Sequence, residues 1–243
     1  MRPFLLLATR EHDGVADAEH AAVLRYGGLE PGELVRVRLE REPMPEVDLG
    51  AFSGVVVGGS PFCTSDPEDG KPPTQRRVER ELAALLDRVV AADVPFLGAC
   101  YGIGTLGVHQ GGVVDRTFGE PIGVTPVSLT RAGRADPVFG ALPDVFDAFV
   151  GHKEALRVPP PHAVVLATSP ACPVQAFRVG EHQYATQFHP ELDVEGIVQR
   201  VTVYRGSGYF PPGELDAVVA RLRAARVDVA SRVLQRFVER YRS

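Results

Sequence analysis

The stretch "FLGACYGIGTLG" (96–107) places a cysteine between two glycines at the end of an apolar run. The pattern Gly98-x-Cys100-x-Gly102 between a strand and a helix is typical of a nucleophile elbow, a sharp turn that exposes one reactive side chain. Glycine suits the flanking positions because a larger side chain would clash across the turn. The thiol would stand at the N-terminus of the following helix, which favours the thiolate. A buried cysteine in a glycine-rich turn is the competing interpretation.

The residues around this stretch alternate between apolar runs and helical patterns. Strands are predicted at 3–8, 34–40, 53–59 and 96–99, and helices at 15–28 and 75–93. Such alternation predicts an α/β fold with a mostly parallel central sheet and helices on both faces.

The second half of the chain has a different pattern. After Gly112, short β-like runs are separated by proline and glycine, which predicts an antiparallel β extension of the same sheet. From residue 211 the pattern becomes helical again, which predicts C-terminal helices over 211–243. No repeat or linker interrupts the chain. We therefore expect residues 1–243 to form a single domain with its motifs within about 1–205.

Composition excludes several classes of function. The 243 residues carry a formal net charge of −5, and the basic residues are scattered rather than clustered as in nucleic-acid-binding proteins. No apolar run approaches the roughly 20 residues that span a bilayer. The three cysteines, Cys63, Cys100 and Cys172, are too widely spaced for a disulfide framework or a zinc site. We expect a cytoplasmic protein with no metal, nucleic-acid or membrane partner.

A thiolate nucleophile needs a base, and "YATQFHPEL" (184–192) supplies the best candidate. His189 ends an alternating strand, and Glu191 follows two residues later, so both side chains can lean to the same side. The carboxylate could then hold the imidazole tautomer. His109 lies two helical turns after Cys100, too far away to contact it. An ordinary strand end remains the alternative interpretation for His189.

The stretch "VVVGGSPFCTSD" (55–66) is the candidate oxyanion loop. Acyl transfer needs donors aimed at the developing oxyanion, commonly two backbone N–H groups. The amide of Tyr101, directly after Cys100, and the amide of Gly59 could supply them. A plain Gly-Gly turn is the alternative, whereas a phosphate loop lacks its Lys-Ser/Thr signature.

Together these motifs resemble the class I (triad-type) glutamine amidotransferases, in particular the glutaminase domain of GMP-synthase-like members. "VVVGGSP" resembles the family's G-G-P loop with Ser60 inserted, "GACYG" its elbow and "HPE" (189–191) its histidine motif, at separations of about 40 and 90 residues. The resemblance implies Cys100 as nucleophile, His189 as base and then acid, and Glu191 as the orienting group. It implies hydrolysis of the glutamine side-chain amide through a γ-glutamyl thioester, without a cofactor. The ammonia would pass to a separately encoded synthetase or acceptor protein.

The chain departs from the family pattern at the substrate side. Gly104 stands where the family has a glutamine that grips the substrate, which suggests either a bulkier γ-glutamyl substrate or drift. His152 and Glu154 are weak substrate-binding candidates, because the family's serine is Gly151 and its aspartate is Glu154; a structural strand end competes. Two other functions stay open: a γ-glutamyl hydrolase or peptidase, and a non-catalytic regulatory relative whose pocket binds a ligand or partner.

Overall fold

The computed structural model describes residues 2–211 and 213–243. The strands are β1 Phe4–Ala8, β2 Leu34–Arg38, β3 Gly54–Val57, β4 Phe96–Ala99, β5 Val113–Asp115, β6 Glu120–Leu129, β7 Val145–His152, β8 Ala155–Val158, β9 Val164–Thr168, β10 Ala176–Val179 and β11 Gln183–Thr186. The α-helices are α1 Asp13–Gly27, α2 Pro73–Ala91, α3 Tyr101–His109, α4 Arg131–Ala135, α5 Val194–Val203, α6 Leu215–Ala224 and α7 Arg232–Tyr241.

Nine strands form one mixed sheet in the order β2-β1-β3-β4-β11-β10-β9-β6-β7, and β5 pairs with β8 beside it. The five strands from β2 to β11 run parallel, and the rest of the sheet is antiparallel. The predicted α/β class and the antiparallel extension are confirmed. One detail differs, because β11 belongs to the second half of the chain yet pairs in parallel with β4.

Alternation along the first strand divides the core into two layers. Phe4 and Leu6 pack on the α1 and α7 side, whereas Leu5 and Leu7 pack on the α2 side. All five residues of β1 are buried, as expected for a parallel strand covered on both faces. Helix α2 contributes an apolar face to the second layer, as its spacing predicts: Val78, Leu82, Leu85, Leu86 and Val89.

The predicted C-terminal helices over 211–243 are confirmed as α6 and α7. Helix α6 ends at Ala224 and α7 begins at Arg232. Helix α7 packs against α1 and places Phe237 in the core cluster that contains Phe4. Among the helices in the described part of the chain, none is both long and apolar enough to cross a membrane.

Candidate active site

The register of the parallel strands brings the predicted motifs to one edge of the sheet. Val57 of β3 pairs with Gly98 of β4, and Ala99 of β4 pairs with Thr186 of β11. The residues that follow these strands therefore flank Cys100 on both sides. Ligand sites of parallel sheets form at this carboxyl edge for the same reason.

Cys100 occupies a strained turn between β4 and α3. Its backbone has φ 53° and ψ −89°, a left-handed conformation that costs free energy in any residue with a side chain. A Cβ on Gly98 would lie 2.7 Å from the carbonyl carbon and oxygen of Gly102. Only glycine fits there, so the turn has the geometry of a nucleophile elbow.

His189 and Glu191 are both buried, and Nδ1 of His189 lies 2.9 Å from Oε1 of Glu191. Arg200 approaches the same carboxylate oxygen at 3.0 Å. Because Nδ1–H donates to Glu191, the Arg200 guanidinium donates to the carboxylate rather than to the ring. This pairing leaves Nε2 of the imidazole to face the thiol.

Opposing effects set the charge of the imidazole. Burial lowers the pKa of His189, but Glu191 and Cys100 more than offset it and raise the pKa to about 9. Burial raises the pKa of Glu191, but His189 and Arg200 outweigh that effect and hold it well below its usual value. The imidazole is therefore positively charged at neutral pH, which suits a thiolate–imidazolium pair.

A chain of buried charges extends behind this pair, and none of its three members follows from a sequence motif. Oε1 of Glu19 accepts hydrogen bonds from Arg10 and Arg200, each at 3.2 Å. Arg200 thereby links Glu19 to Glu191. Arg10 alone had a usable signal in the sequence, because it closely follows β1 at the carboxyl edge of the predicted sheet.

Gly59 lies where Arg10 and His189 converge. A Cβ at this position would overlap Nη2 of Arg10 and would lie 2.8 Å from Cε1 of His189. Within residues 2–211 and 213–243, the Gly59 N–H donates to no acceptor. Tyr101 is the first residue of α3, so its N–H has no partner inside the helix. The two predicted oxyanion donors thus flank the elbow with their amides available.

His152 and Glu154 lie near the thiol, but their polar atoms bind other parts of the protein. His152 contacts Oε2 of Glu120 at 2.9 Å and the Glu154 carbonyl at 2.8 Å. The Glu154 carboxylate accepts from the Thr64 amide and hydroxyl and from the Ser65 amide at 2.7–2.9 Å. This arrangement favours the structural interpretation, since Glu154 holds the loop after Gly59 in place.

The structure does not support the interpretation that Gly104 leaves room for a bulkier substrate. A Cβ on Gly104 would lie 2.9 Å from Oγ1 of Thr64 and 3.2 Å from Oε1 of Glu154. The protein's own side chains therefore occupy the space next to this glycine. Thr64 comes nearest, and the Glu154 carboxylate, which accepts from the Thr64 amide and hydroxyl, lies beside it.

Comparison with known proteins agrees with the fold. Residues 30–196 match the profile of the family "Glutamine amidotransferase class-I". The fold also matches the crystal structure of a glutamine amidotransferase from Thermotoga maritima with a TM-score of 0.77, at 21% identity over 99% of this chain and 98% of that one. The family match is consistent with a cysteine elbow on a mixed α/β sheet. The chain belongs to the class I glutamine amidotransferases.

The curated relatives are longer proteins. The GMP synthase [glutamine-hydrolyzing] of Streptomyces avermitilis is 34% identical over 139 residues, which is 55% of this chain and 26% of that protein. The enzyme of the same name from Pasteurella multocida is 26% identical over 196 residues, or 74% of this chain and 34% of that protein. The chain thus spans about a quarter to a third of the length of these relatives.

Proposed function

We propose that the protein hydrolyses the side-chain amide of glutamine, with Cys100 as the nucleophile. The observation that carries this proposal is the buried His189–Glu191 pair beside a cysteine held at φ 53° in an elbow. A strained backbone at a reactive side chain is typical of functional sites. The names of the GMP synthase relatives, which are glutamine-hydrolysing, support glutamine as the amide donor.

In the first half of the reaction, the Cys100 thiolate attacks the γ-carbonyl carbon of glutamine. The amides of Gly59 and Tyr101 stabilise the charge that develops on the carbonyl oxygen. His189 then gives its proton to the leaving nitrogen as the C–N bond breaks, so ammonia departs and a γ-glutamyl thioester remains.

In the second half, His189 removes a proton from a water molecule, which attacks the thioester and releases glutamate. Glu191 keeps the proton on Nδ1 and stabilises the imidazolium, as the third member of a triad does. Arg200 and Glu19 fix the position of that carboxylate. We propose that the ammonia serves a separate acceptor or synthetase, since the longer GMP synthase relatives extend well beyond the matched region.

The test measures glutamate and ammonia from glutamine with the purified chain. We expect turnover by the wild type, none by Cys100→Ala, and nearly wild-type rates for the control Cys172→Ala, whose thiol is buried outside the site. Retention of turnover by Cys100→Ala would contradict the assigned nucleophile. An inactive wild type that still binds glutamine would favour the non-catalytic alternative.

A further inference from the structure

Two cavities meet at Cys100 and differ in their walls. His189 and Arg10 line the first, whereas Tyr101 and Gln187 line the second. In acyl transfer through a cysteine, the imidazole gives its proton to the leaving nitrogen, so the leaving group must lie beside the imidazole. The first cavity is therefore the leaving-group side.

The leaving-group cavity is lined by side chains with which ammonia would make few apolar contacts. Aromatic and aliphatic side chains surround it: Ile122, Ile197, Tyr204, Tyr209 and Phe210. Ammonia has no carbon skeleton to contact such walls, whereas a substituted amine does. The same cavity is also lined by three cationic side chains, those of Arg10, His189 and Arg200.

Arg10 is one of these charged groups. Its side chain is only 6% exposed, and its Nε donates to Glu19, a carboxylate already shared with Arg200. Throughout the described residues, neither terminal nitrogen of Arg10 donates a hydrogen bond to a protein acceptor. The guanidinium carbon also lies over the ring of Tyr204, 5.9 Å from its centroid. A held guanidinium with free N–H groups matches the geometry of a carboxylate.

We propose that this cavity binds the amine part of a γ-glutamyl amide that carries a carboxylate, as in the γ-glutamyl conjugate of an amino acid, and that Arg10 binds this carboxylate. The proposal rests on the proposed amide hydrolysis at Cys100. The chemistry is unchanged: the C–S bond forms first, with the charge on the carbonyl oxygen, and the C–N bond then breaks as the amine nitrogen takes the proton from His189. Water then cleaves the thioester, which releases glutamate and restores the thiol.

The experiment compares three substrates by initial rates of glutamate formation, the product common to all of them. The substrates are L-glutamine, γ-L-glutamylglycine and γ-L-glutamylethylamide. The last two substrates differ mainly in the carboxylate, so the ratio of their kcat/KM values isolates the contribution of Arg10. We expect kcat/KM of the wild type to be at least tenfold higher for γ-L-glutamylglycine than for γ-L-glutamylethylamide.

Two variants connect this ratio to the guanidinium. Arg10→Gln removes the charge and should bring the ratio close to one, whereas Arg10→Lys keeps the charge and should retain part of the preference. The unfolding midpoint of each variant checks that the fold persists. The wild-type ratio needs no variant, so the proposal stays testable if Arg10→Gln does not fold.

The outcomes separate the two proposals. Turnover of glutamine with a wild-type ratio near one would overturn the carboxylate subsite and leave the proposed function standing. An equal loss on all three substrates in Arg10→Gln would also overturn it, because Arg10 would then act on atoms that the substrates share. Glutamate from none of the substrates would contradict the proposed function itself, and the subsite with it.

Discussion

The three thiols of the protein differ in their surroundings. Burial raises the pKa of Cys63 to about 12 and the pKa of Cys172 to about 11. Cys100 instead faces an imidazolium and is partly exposed. Because the thiolate is the reactive form, one thiol of the three should dominate alkylation.

We expect iodoacetamide at pH 7 to label Cys100 at least tenfold faster than Cys63 or Cys172 in the folded protein. Peptide mass spectrometry over a time course gives the three rates. His189→Ala should slow the labelling of Cys100, because it removes the positive charge beside the thiol. Equal rates at all three cysteines of the folded protein would argue against the thiolate–imidazolium pair.

The charge on His189 also links stability to pH. Its pKa is raised from 6.5 to about 9, so the folded state holds the proton more tightly than the unfolded state. This contribution is fully present below pH 6.5 and is lost as the pH rises through 9. We expect the free energy of unfolding to fall over that window in Cys100→Ala, because no thiolate forms on folding in that variant to offset the proton that His189 binds.

Urea unfolding at pH 6, 7.5 and 9 measures this loss. In Glu191→Gln the loss should shrink, because the carboxylate that raises the pKa of His189 is gone. Both changes are made in the Cys100→Ala protein, and Glu239→Gln, which changes a carboxylate on the exposed face of α7, should there leave the pH dependence unaltered. If Glu191→Gln kept the full pH dependence, Glu191 would not be the partner that holds the imidazolium.

At the scale of elements, the β4–α3 turn depends on glycine for its close approach. Gly98→Ala would place a methyl group against the backbone of Gly102, which no side-chain rotation can relieve. We expect a loss of roughly 2–4 kcal/mol in the free energy of unfolding, together with reduced turnover as α3 moves away from β4. Urea unfolding measures the loss.

A matched control for that change is Gly32→Ala, since a Cβ there meets no atom within 4 Å. It should alter stability by no more than about 0.5 kcal/mol. Similar effects of both substitutions would show that the cost comes from loss of glycine in general rather than from the elbow.

Helix α3 carries the departure from the family pattern at Gly104. Glutamine is the better helix former by several tenths of a kcal/mol, but its Cβ would press on Thr64 and Glu154. We expect Gly104→Gln to lower stability by about 1–2 kcal/mol and to give no gain in kcat/KM for glutamine.

A double-mutant cycle tests the cause. Thr64→Ala removes the nearest atoms, so Gly104→Gln should cost less in that background than in the wild type. Urea unfolding of the four proteins supplies the coupling free energy. If Gly104→Gln alone were more stable than the wild type, the loop after Gly59 would be able to move aside without loss of stability.

At the scale of the whole molecule, the contribution of α7 to the hydrophobic core is the one least evident from the order of the elements along the chain. Phe237 is fully buried, and its ring contacts those of Phe4, Tyr184 and Tyr241. We propose that the chain folds as one cooperative domain that includes this helix. Phe237→Ala should then cost about 3–5 kcal/mol in a single unfolding transition.

The control on the same helix is Arg236→Ala, which removes one member of an exposed ion pair. Exposed pairs contribute little, so the change should stay within about 0.5 kcal/mol. A separate early transition in Phe237→Ala, with the main transition unmoved, would show that the C-terminal helices unfold independently.

The local hydrophobic pattern was sufficient to predict the strands and helices in the first half of the chain. The parallel strands are short apolar runs and α2 has a single apolar face, so the predicted bounds agree with the structure to within about two residues. The pairing of β11 with β4 was missed because strand order depends on contacts between distant segments. The sequence predicted helices over 211–243 but not the position of the break between α6 and α7, because the helical pattern continues through it.

The residues of the site also divide into those that a sequence motif indicates and those that only the fold brings together. Cys100, Gly59 and the His189–Glu191 pair were proposed from the sequence because each lies in a short motif whose residue types suit one step of the chemistry. Glu19 and Arg200 carry no such local signal, and Arg10 has only its position after β1, since ordinary surface residues of strands and helices have the same composition. Their charges matter only because the sheet and helices α1 and α5 bury them together.

The amino-acid sequence by itself determined the elbow, the order of the strands along the chain and the resemblance to the glutamine amidotransferases, because these follow from residue types at short range. Only the tertiary structure decided that Glu154 and Thr64 fill the space at Gly104, and that the Arg10 guanidinium lines a cavity beside Cys100. Both are contacts between segments far apart in the chain. Such contacts depend on how the elements pack, and packing is a property of the whole fold.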